Sequence, residues 1–448
     1  MKHSEHTLKA AEIFYASLRA VDPYESVKLH TDRIRQFHQD NNFKKLIVVG
    51  FGKAAVPMVK ALEDDLADII DAGIVITKYG RCAHNYSNPP LPPFDKGGIG
   101  GFFEVYEAGH PIPDESGLKA AEEIIKLLRD ADENTLVVCL ISGGGSALLV
   151  SPYEGVSLDE KQKITQLLLK AGADINELNT VRKHISKVKG GRLVEIAYPS
   201  RIISLILSDV IGDKLDVIAS GPTSPDETTY NDALRVLEKY KLMDKCPEKI
   251  LVILQKGENG LTPETPKEGN KIFESVENII IGSNRIALNA AKEKAEDMGF
   301  HAEILSSELA GEAREAGKWL AIKTRDALSV RRDEKICLIS GGETTVTVWG
   351  NGIGGRNMEL ALSFAMEIEG SDGITLLSAG TDGTDGPTDA AGAIVDGGTV
   401  KKAKTIGLDP EAYLKDNDSY NLFKQINGLL VTGPTGTNVM DIQVVLIK

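Results

Sequence analysis

Three short segments set flexible glycines beside cations or hydroxyls in a way that suits an anion. The first is GFGKAAVPM, in which Gly50, Gly52 and Ala55 lead into a helical run and Lys53 occupies the turn. A helix N-terminus presents unpaired N–H groups and the positive end of its dipole, so a lysine added there makes a natural site for phosphate or carboxylate. A solvated turn lysine is the plainer reading. The second is SGGGSALLV, where Gly143, Gly144 and Gly145 free the backbone to aim successive N–H groups inward and Ser142 and Ser146 add hydroxyl donors. The third is INELNTVRKHISKVKGGRL, in which Arg182, Ser186 and Lys189 recur at i, i+4 and i+7 beside an apolar stripe of Leu178, Val181, Ile185 and Val188. The helix dipole also favours cations near a C-terminus, which supplies the alternative of a solvated basic face. In so acidic a chain the clustering favours an anion.

Carboxylates occupy equivalent turns. After IISLIL comes SDVIGDKLDVIASGPTSPD, with Asp209 at the expected strand end and Asp213 just beyond Gly212. Either suits Mg²⁺, which takes one or two carboxylates together with phosphate oxygens and water, and either also suits a turn or a helix cap. In the second half, Gly341, Gly342, Glu343 and Thr344 follow one strand, and Gly355, Arg356 and Asn357 open a helix. Arg356 there could bridge phosphate oxygens with its planar fork. Asp382, Asp385 and Asp389 lie among glycines in AGTDGTDGPTDAAG, off the EF-hand spacing, and offer metal ligands or a base for a hydroxyl proton. Thr435, Thr437 and Asn438 are read as polar lining. The four cysteines are scattered, without zinc or disulfide spacing, and Cys139 and Cys337 sit in apolar runs that predict burial.

The elements that must hold these turns alternate between short β-branched runs and helical patterns, the mark of a parallel sheet covered by helices. Strands are predicted at Leu46–Val49, Gly73–Thr77, Glu104–Glu107, Leu136–Ile141, Ile203–Leu207, Asn278–Ile281, Ala302–Leu305, Lys335–Ile339 and Ile374–Ser378. Gly428–Thr432 and Asp441–Leu446 read as a closing hairpin-like pair. Open α/β sheets bind ligands beyond the carboxyl ends of their strands, where the conspicuous segments fall. A length of 448 residues suggests two domains, 1–247 and 248–448, divided near a polar, proline-bearing stretch after Asp244. The segment NPPLPPFDKGGIGGF, Asn88–Phe102, is predicted to be an exposed loop. Hydrophobic residues at 42%, charged residues at 26% and a net charge of −14 indicate a folded chain without the basic footprint of nucleic-acid binding. With a polar N-terminus and no apolar stretch approaching ~20 residues, a soluble cytoplasmic protein is expected.

Gly50-x-Gly52-x-x-Ala55 formally matches the dinucleotide fingerprint, but the second strand ends in Lys78 where a ribose-binding acid belongs. An NAD(P)H-dependent enzyme is weakened by this and not eliminated, since a lysine suits a 2′-phosphate. No P-loop, nucleophile elbow or H-E-x-x-H motif occurs. The residues alone point to a two-domain α/β enzyme that handles anions, phosphoryl groups and Mg²⁺.

Taken in order, GFGKAA, SGGGSALL, LNTVRKHISKVKGGRL, SDVIGDKLDVIASGPTSPD, GGETTV, GGRNMELAL, AGTDGTDGPTDAAGA and PTGTNVMD resemble the class II glycerate kinases. The resemblance runs along nearly the whole chain. It implies a Rossmann-like, three-layer N-terminal glycerate-kinase domain, a smaller mixed-sheet α/β C-terminal MOFRL domain, and an active site in the cleft between them. It further implies transfer of a phosphoryl group from ATP, with Mg²⁺, to D-glycerate, giving 2-phosphoglycerate and ADP. The family's key lysine and arginine fall on Lys53 and Arg356. Around these, Asp382 or Asp385 is the expected base, and Asp209 and Asp213 are the expected metal ligands. Substrate and nucleotide are expected at Gly52, Ser142, Gly143, Gly144, Gly145, Ser146, Arg182, Ser186, Lys189, Gly341, Gly342, Glu343, Thr344, Gly355, Asn357, Thr435 and Asn438. The stretch from Asn88 to about Phe103 departs from the pattern as an insertion. The rival enzyme is an NAD(P)H-dependent hydroxypyruvate reductase, and the non-enzymatic rival is a ligand sensor. Partners are expected to be small molecules, with neither nucleic acid nor membrane; a homodimer is left open.

Overall fold

Apolar strand runs assemble into two six-stranded sheets, one in each of two compact units. The computed structural model describes residues 5–80, 103–331 and 334–448. The loop predicted at Asn88–Phe102 lies outside them. One unit comprises Pro23–Leu207 and Asp213–Ile281, and the other Met1–Asp22, Ser208–Gly212 and Gly282–Lys448.

The first sheet contains β1 (Lys45–Phe51), β2 (Ala72–Lys78), β3 (Phe103–Ala108), β4 (Thr135–Ile141), β5 (Arg201–Leu207) and β6 (Val276–Gly282), in the order β3-β2-β1-β4-β5-β6. Strands β1 to β5 pair in parallel. Every residue of β4 is buried, as expected of a strand with helices over both faces. Because β6 lies beside β5, this unit continues past 247/248, where the polar stretch suggested a boundary.

The second sheet contains β7 (His301–Leu309), β8 (Ile336–Gly342), β9 (Ile374–Gly380), β10 (Gly392–Asp396), β11 (Leu429–Leu430) and β12 (Asp441–Ile447), in the order β11-β10-β9-β12-β8-β7. Only β7 and β8 pair in parallel; β12 runs antiparallel to both β8 and β9. The predicted hairpin is therefore corrected. All seven residues of β12 are buried, so a strand with no polar face takes the sheet centre, whereas two-residue β11 pairs with β10 at the edge. The N-terminal helix Glu5–Ala20 packs in this second unit, against the helix Asn284–Asp297 and against β9 and β12.

Candidate active site

Strand order in the first sheet reverses between β1 and β4, and there the two glycine turns meet. Phe51 and Ile141 are register partners at the ends of these strands. Beyond them the Ser142 N–H donates to Phe51 O (3.2 Å), Lys53 N–H to Gly143 O (2.9 Å) and Ala54 N–H to Ser142 Oγ (3.1 Å). Gly52 is obligatory in this stitch: its φ is +135°, and an added Cβ would lie 2.1 Å from Ser142 Oγ. Ser142, expected to offer a hydroxyl donor, is buried, and its Oγ accepts from Ala54 N–H. The Gly145 N–H turns back to Ser142 O (3.2 Å), so SGGGS closes as a tight turn and does not present all three glycine N–H groups to a ligand. Lys53 passes over this turn: a Cβ on Gly144 would sit 3.2 Å from Lys53 Cε and 3.0 Å from the His110 ring. Burial, and then the charges of Lys53 and Lys78, push His110 down to about 4, which keeps its imidazole neutral.

A cavity of about 390 Å³ opens beside the turn, with Gly144, Ser146, His110, Lys161, Arg182 and Lys189 in its wall. The helix Ile175–His184 stops before Ser186: Ile185, at φ of −111° and ψ of +25°, is already its cap, and Gly190 and Gly191 take φ of +58° and +80° farther along. The expected helical face of Arg182, Ser186 and Lys189 is thus corrected. Arg182 and Lys189 still reach one cavity, while Ser186 is buried and donates to Ser151 O. The Lys189 ammonium donates to Ser146 O (2.8 Å), Ser146 Oγ (3.0 Å) and Ala219 O (3.4 Å). Ser146 Oγ also lies 2.8 Å from Ser220 Oγ. Burial lowers Arg182 to about 10, and burial together with neighbouring cations lowers Lys189 well below the ordinary lysine range.

In the second unit the C-terminal ends of β8 and β9 flank the start of β12, with Asp441 in register with both Gly342 and Gly380. Arg356, at the first turn of the helix Arg356–Glu367, donates from Nε and Nη2 to Asp441 Oδ2 and Oδ1 (2.6 and 3.0 Å) and from Nη1 to Glu343 Oε1 (2.6 Å). Burial opposes the guanidinium charge, but Asp441, Glu343 and Asp385 outweigh it and hold Arg356 above its ordinary value. Glu343, expected to meet ligand, is here a partner of Arg356. Asp385 accepts from the N–H groups of Asn357 (3.1 Å) and Met358 (2.8 Å), capping that helix, and is 2% exposed. Gly355 makes room for it, since a Cβ there would lie 2.3 Å from Asp385. Burial, with a smaller push from Asp441, raises Asp385 to about 7.

Residues 9–255 match the family described as "Domain of unknown function (DUF4147)" and residues 336–441 match the MOFRL family. The chain is 48% identical to the D-glycerate 2-kinase of Thermotoga maritima, over 98% of this chain and 97% of that protein. It is 44% identical to the glycerate 2-kinase of Pyrococcus horikoshii, over 96% and 95% respectively. A crystal structure of glycerate kinase from Thermotoga maritima superposes with a TM-score of 0.86 at 47% identity, covering 99% of this chain and 100% of that one.

The chain belongs to the class II glycerate kinases.

In this glycerate kinase the remaining predicted positions serve mostly as framework. Gly341 gives space to Asn284, whose Nδ2 donates to Val439 O and Asp441 O (2.9 and 3.0 Å), and Gly342 has φ of +144°. Asn357 accepts from Ser378 Oγ (2.7 Å), Thr435 donates to Thr381 O, and Asn438 Oδ1 accepts from Met440 N–H (3.1 Å). Thr344 is buried, with no hydrogen-bond partner for its hydroxyl among the described residues. Asp382, half-buried, accepts from the N–H and hydroxyl of Thr384, both at 3.0 Å. Asp209 and Asp213 are each half-buried, and Asp213 takes φ of +52°. No group of three or more His, Cys, Asp or Glu able to hold a metal occurs among the described residues. Sequence reasoning missed His110, Lys161 and Asp441. Only Asp441 carried a signal, as an acid set directly before the apolar run IQVVLI. No helix among the described residues is long and apolar enough to cross a membrane.

Proposed function

We propose that this enzyme phosphorylates the 2-hydroxyl of D-glycerate with ATP as donor and Mg²⁺ as its counter-ion, yielding 2-phosphoglycerate and ADP. One observation carries the reading furthest. Lys53 crosses the SGGGS turn at the switch point of a parallel sheet, beside a cavity whose described wall holds cations and no carboxylate. Such a wall suits an anionic acceptor. Phosphoryl transfer is mainly positioning and charge stabilisation, so cations and a few donors suffice. In this reading Lys53 and Arg182 hold the acceptor, and Arg356 releases Glu343 to meet the transferring phosphoryl group while Asp441 keeps its orientation. The acceptor hydroxyl passes its proton to a carboxylate as its oxygen bonds to phosphorus and ADP leaves. Asp382 fits that role better than Asp385, which is occupied as a helix cap. Asp209 and Asp213 are the carboxylates that would hold Mg²⁺, which would supply positive charge against the phosphate groups. The rival reductase reading lacks a ribose-binding acid at the end of β2, where Lys78 suits only a cofactor with a 2′-phosphate.

The test is ADP release coupled to absorbance, with D-glycerate, ATP and Mg²⁺, followed by ³¹P NMR of the product. Formation of 2-phosphoglycerate is expected. Nicotinamide oxidation with hydroxypyruvate, and no ADP release with glycerate, would replace this reading with the reductase.

A further inference from the structure

The helix Leu158–Ala171 buries Leu158, Lys161, Ile164 and Leu168 along one stripe. A lysine at the second of these positions is out of pattern, since that side of an amphipathic helix is normally apolar. Lys161 is 5% exposed, and its Nζ has no hydrogen-bond partner among the described residues. Its side chain lines the same cavity as Arg182 and Lys189. Among the described residues none of these three cations is ion-paired, and no Asp or Glu lines the cavity. The chain treats another buried lysine quite differently. Lys183, 2% exposed, donates to Asp226 and Asp216, both at 3.2 Å. A buried ammonium without acceptors loses its hydration and recovers nothing, so one in the wall of a cavity that it shares with two further cations signals a missing partner.

We propose that Lys161, with Arg182 and Lys189, forms the subsite that binds the carboxylate of the hydroxy-acid acceptor. The proposal rests on the glycerate kinase reading and adds to it the residue that distinguishes an acid from a neutral polyol. A carboxylate fits better than a nucleotide phosphate for an electrostatic reason. Nucleotide phosphates arrive with Mg²⁺, and a cavity with clustered cations and no acidic group repels a divalent cation. An oxyanion that carries no metal suffers no such penalty. Burial, then Arg182, lowers Lys161 to about 7, so at slightly alkaline pH the empty cavity holds much of it neutral. A bound carboxylate favours the ammonium and draws a proton from solvent. The other groups facing it are Arg182 from the helix Ile175–His184, Lys189 from the turn beyond, and His110, which stays neutral.

The test compares Lys161→Met and Lys161→Arg with the wild-type enzyme. Losing a charge-assisted hydrogen bond should raise KM for D-glycerate about 10- to 100-fold in Lys161→Met, with KM for ATP within about twofold and partial recovery in Lys161→Arg. An unchanged KM for glycerate overturns the proposal, as does a rise confined to ATP. A second arm needs neither turnover nor a variant. Calorimetric binding of D-glycerate and of D-lactate to wild-type protein near pH 8, in two buffers of different ionisation enthalpy, should show proton uptake for both acids; binding without uptake sinks the idea even if Lys161→Met does not fold. If wild-type protein fails to phosphorylate glycerate, the kinase reading falls by itself, and the calorimetric arm still decides the subsite.

Discussion

Lys53 and Arg356 make different demands on their surroundings, and their substitutions should differ accordingly. Lys53 lies across a glycine turn, so Lys53→Ala removes a charge and leaves the stitch between β1 and β4 intact. Its thermal midpoint should stay near wild type while kcat/KM falls on the order of 10²-fold or more, the usual cost of deleting a charge-stabilising donor. Arg356→Ala strands the 1%-exposed Asp441, so lost activity should come with lost stability, of order 3 kcal/mol by denaturant titration. Retention of kcat/KM within a few-fold in either variant would remove that residue from the mechanism. Asp385 gives a pH signature. Its folded-state value of about 7 lies above that of an exposed carboxyl, so the folded protein binds this proton more tightly than the unfolded chain. The stabilisation is complete below the unfolded value of ~4 and is lost as pH rises toward 7. Subtracting the stability of Asp385→Asn from that of wild type should give a difference that shrinks across this window, and a flat difference would contradict the assignment. Lys53, Ser146, Arg182 and Lys189 were legible in the sequence because glycines and cations cluster around them. Lys161 was not, because it sits alone inside an apolar helical stripe and only packing shows that the stripe faces a cavity.

The elements were legible wherever a strand runs straight into a glycine turn. β1 and β4 fall within two residues of their predicted bounds, since unbroken Val, Ile and Leu runs have one use in a doubly covered sheet. The third basic segment misled because helical spacing was carried past His184, where the chain leaves the helix and then passes through two positive-φ glycines. β10 was missed because GAIVD is short and begins with two poor strand formers, and β11 and β12 were joined because nothing local reveals that β12 enters between β8 and β9. The turn between β1 and the helix Ala55–Leu66 supports a sharper statement. Gly52→Ala should cost of order 3 kcal/mol or more, read from the denaturant midpoint, because it combines a left-handed φ with a collision. Adding Ser142→Ala removes the hydroxyl but leaves Ser142 O 2.6 Å from the new Cβ, so the double variant should not recover. Recovery would show that the side chain, not the backbone, enforces glycine.

At the scale of the whole molecule, chain order and compact units do not coincide. The family match 9–255 starts within the helix Glu5–Ala20, yet that helix belongs with Gly282–Lys448. The helix buries Ala10, Ile13, Phe14 and Ser17 at i, i+3, i+4 and i+7, one continuous face laid on the helix Asn284–Asp297, β9 and β12. Thr437 Oγ1 then donates to Val21 O (2.8 Å), fixing the end of the segment. The helical spacing of these residues marks a covered face in the sequence itself. It does not mark the partner, because periodicity says which face is covered and never by what. Both tryptophans of the chain, Trp319 and Trp349, lie in the same unit, and Trp319 packs against its core. Intrinsic fluorescence therefore reports the unfolding of this unit. Phe14→Ala deletes a fully buried ring and should lower the stability seen by fluorescence by about 3–5 kcal/mol, whereas Leu8→Ala, at a position 53% exposed on the opposite side, should change it little. A fluorescence transition unmoved by Phe14→Ala would mean that the N-terminal helix contributes nothing to the unit in which it is packed.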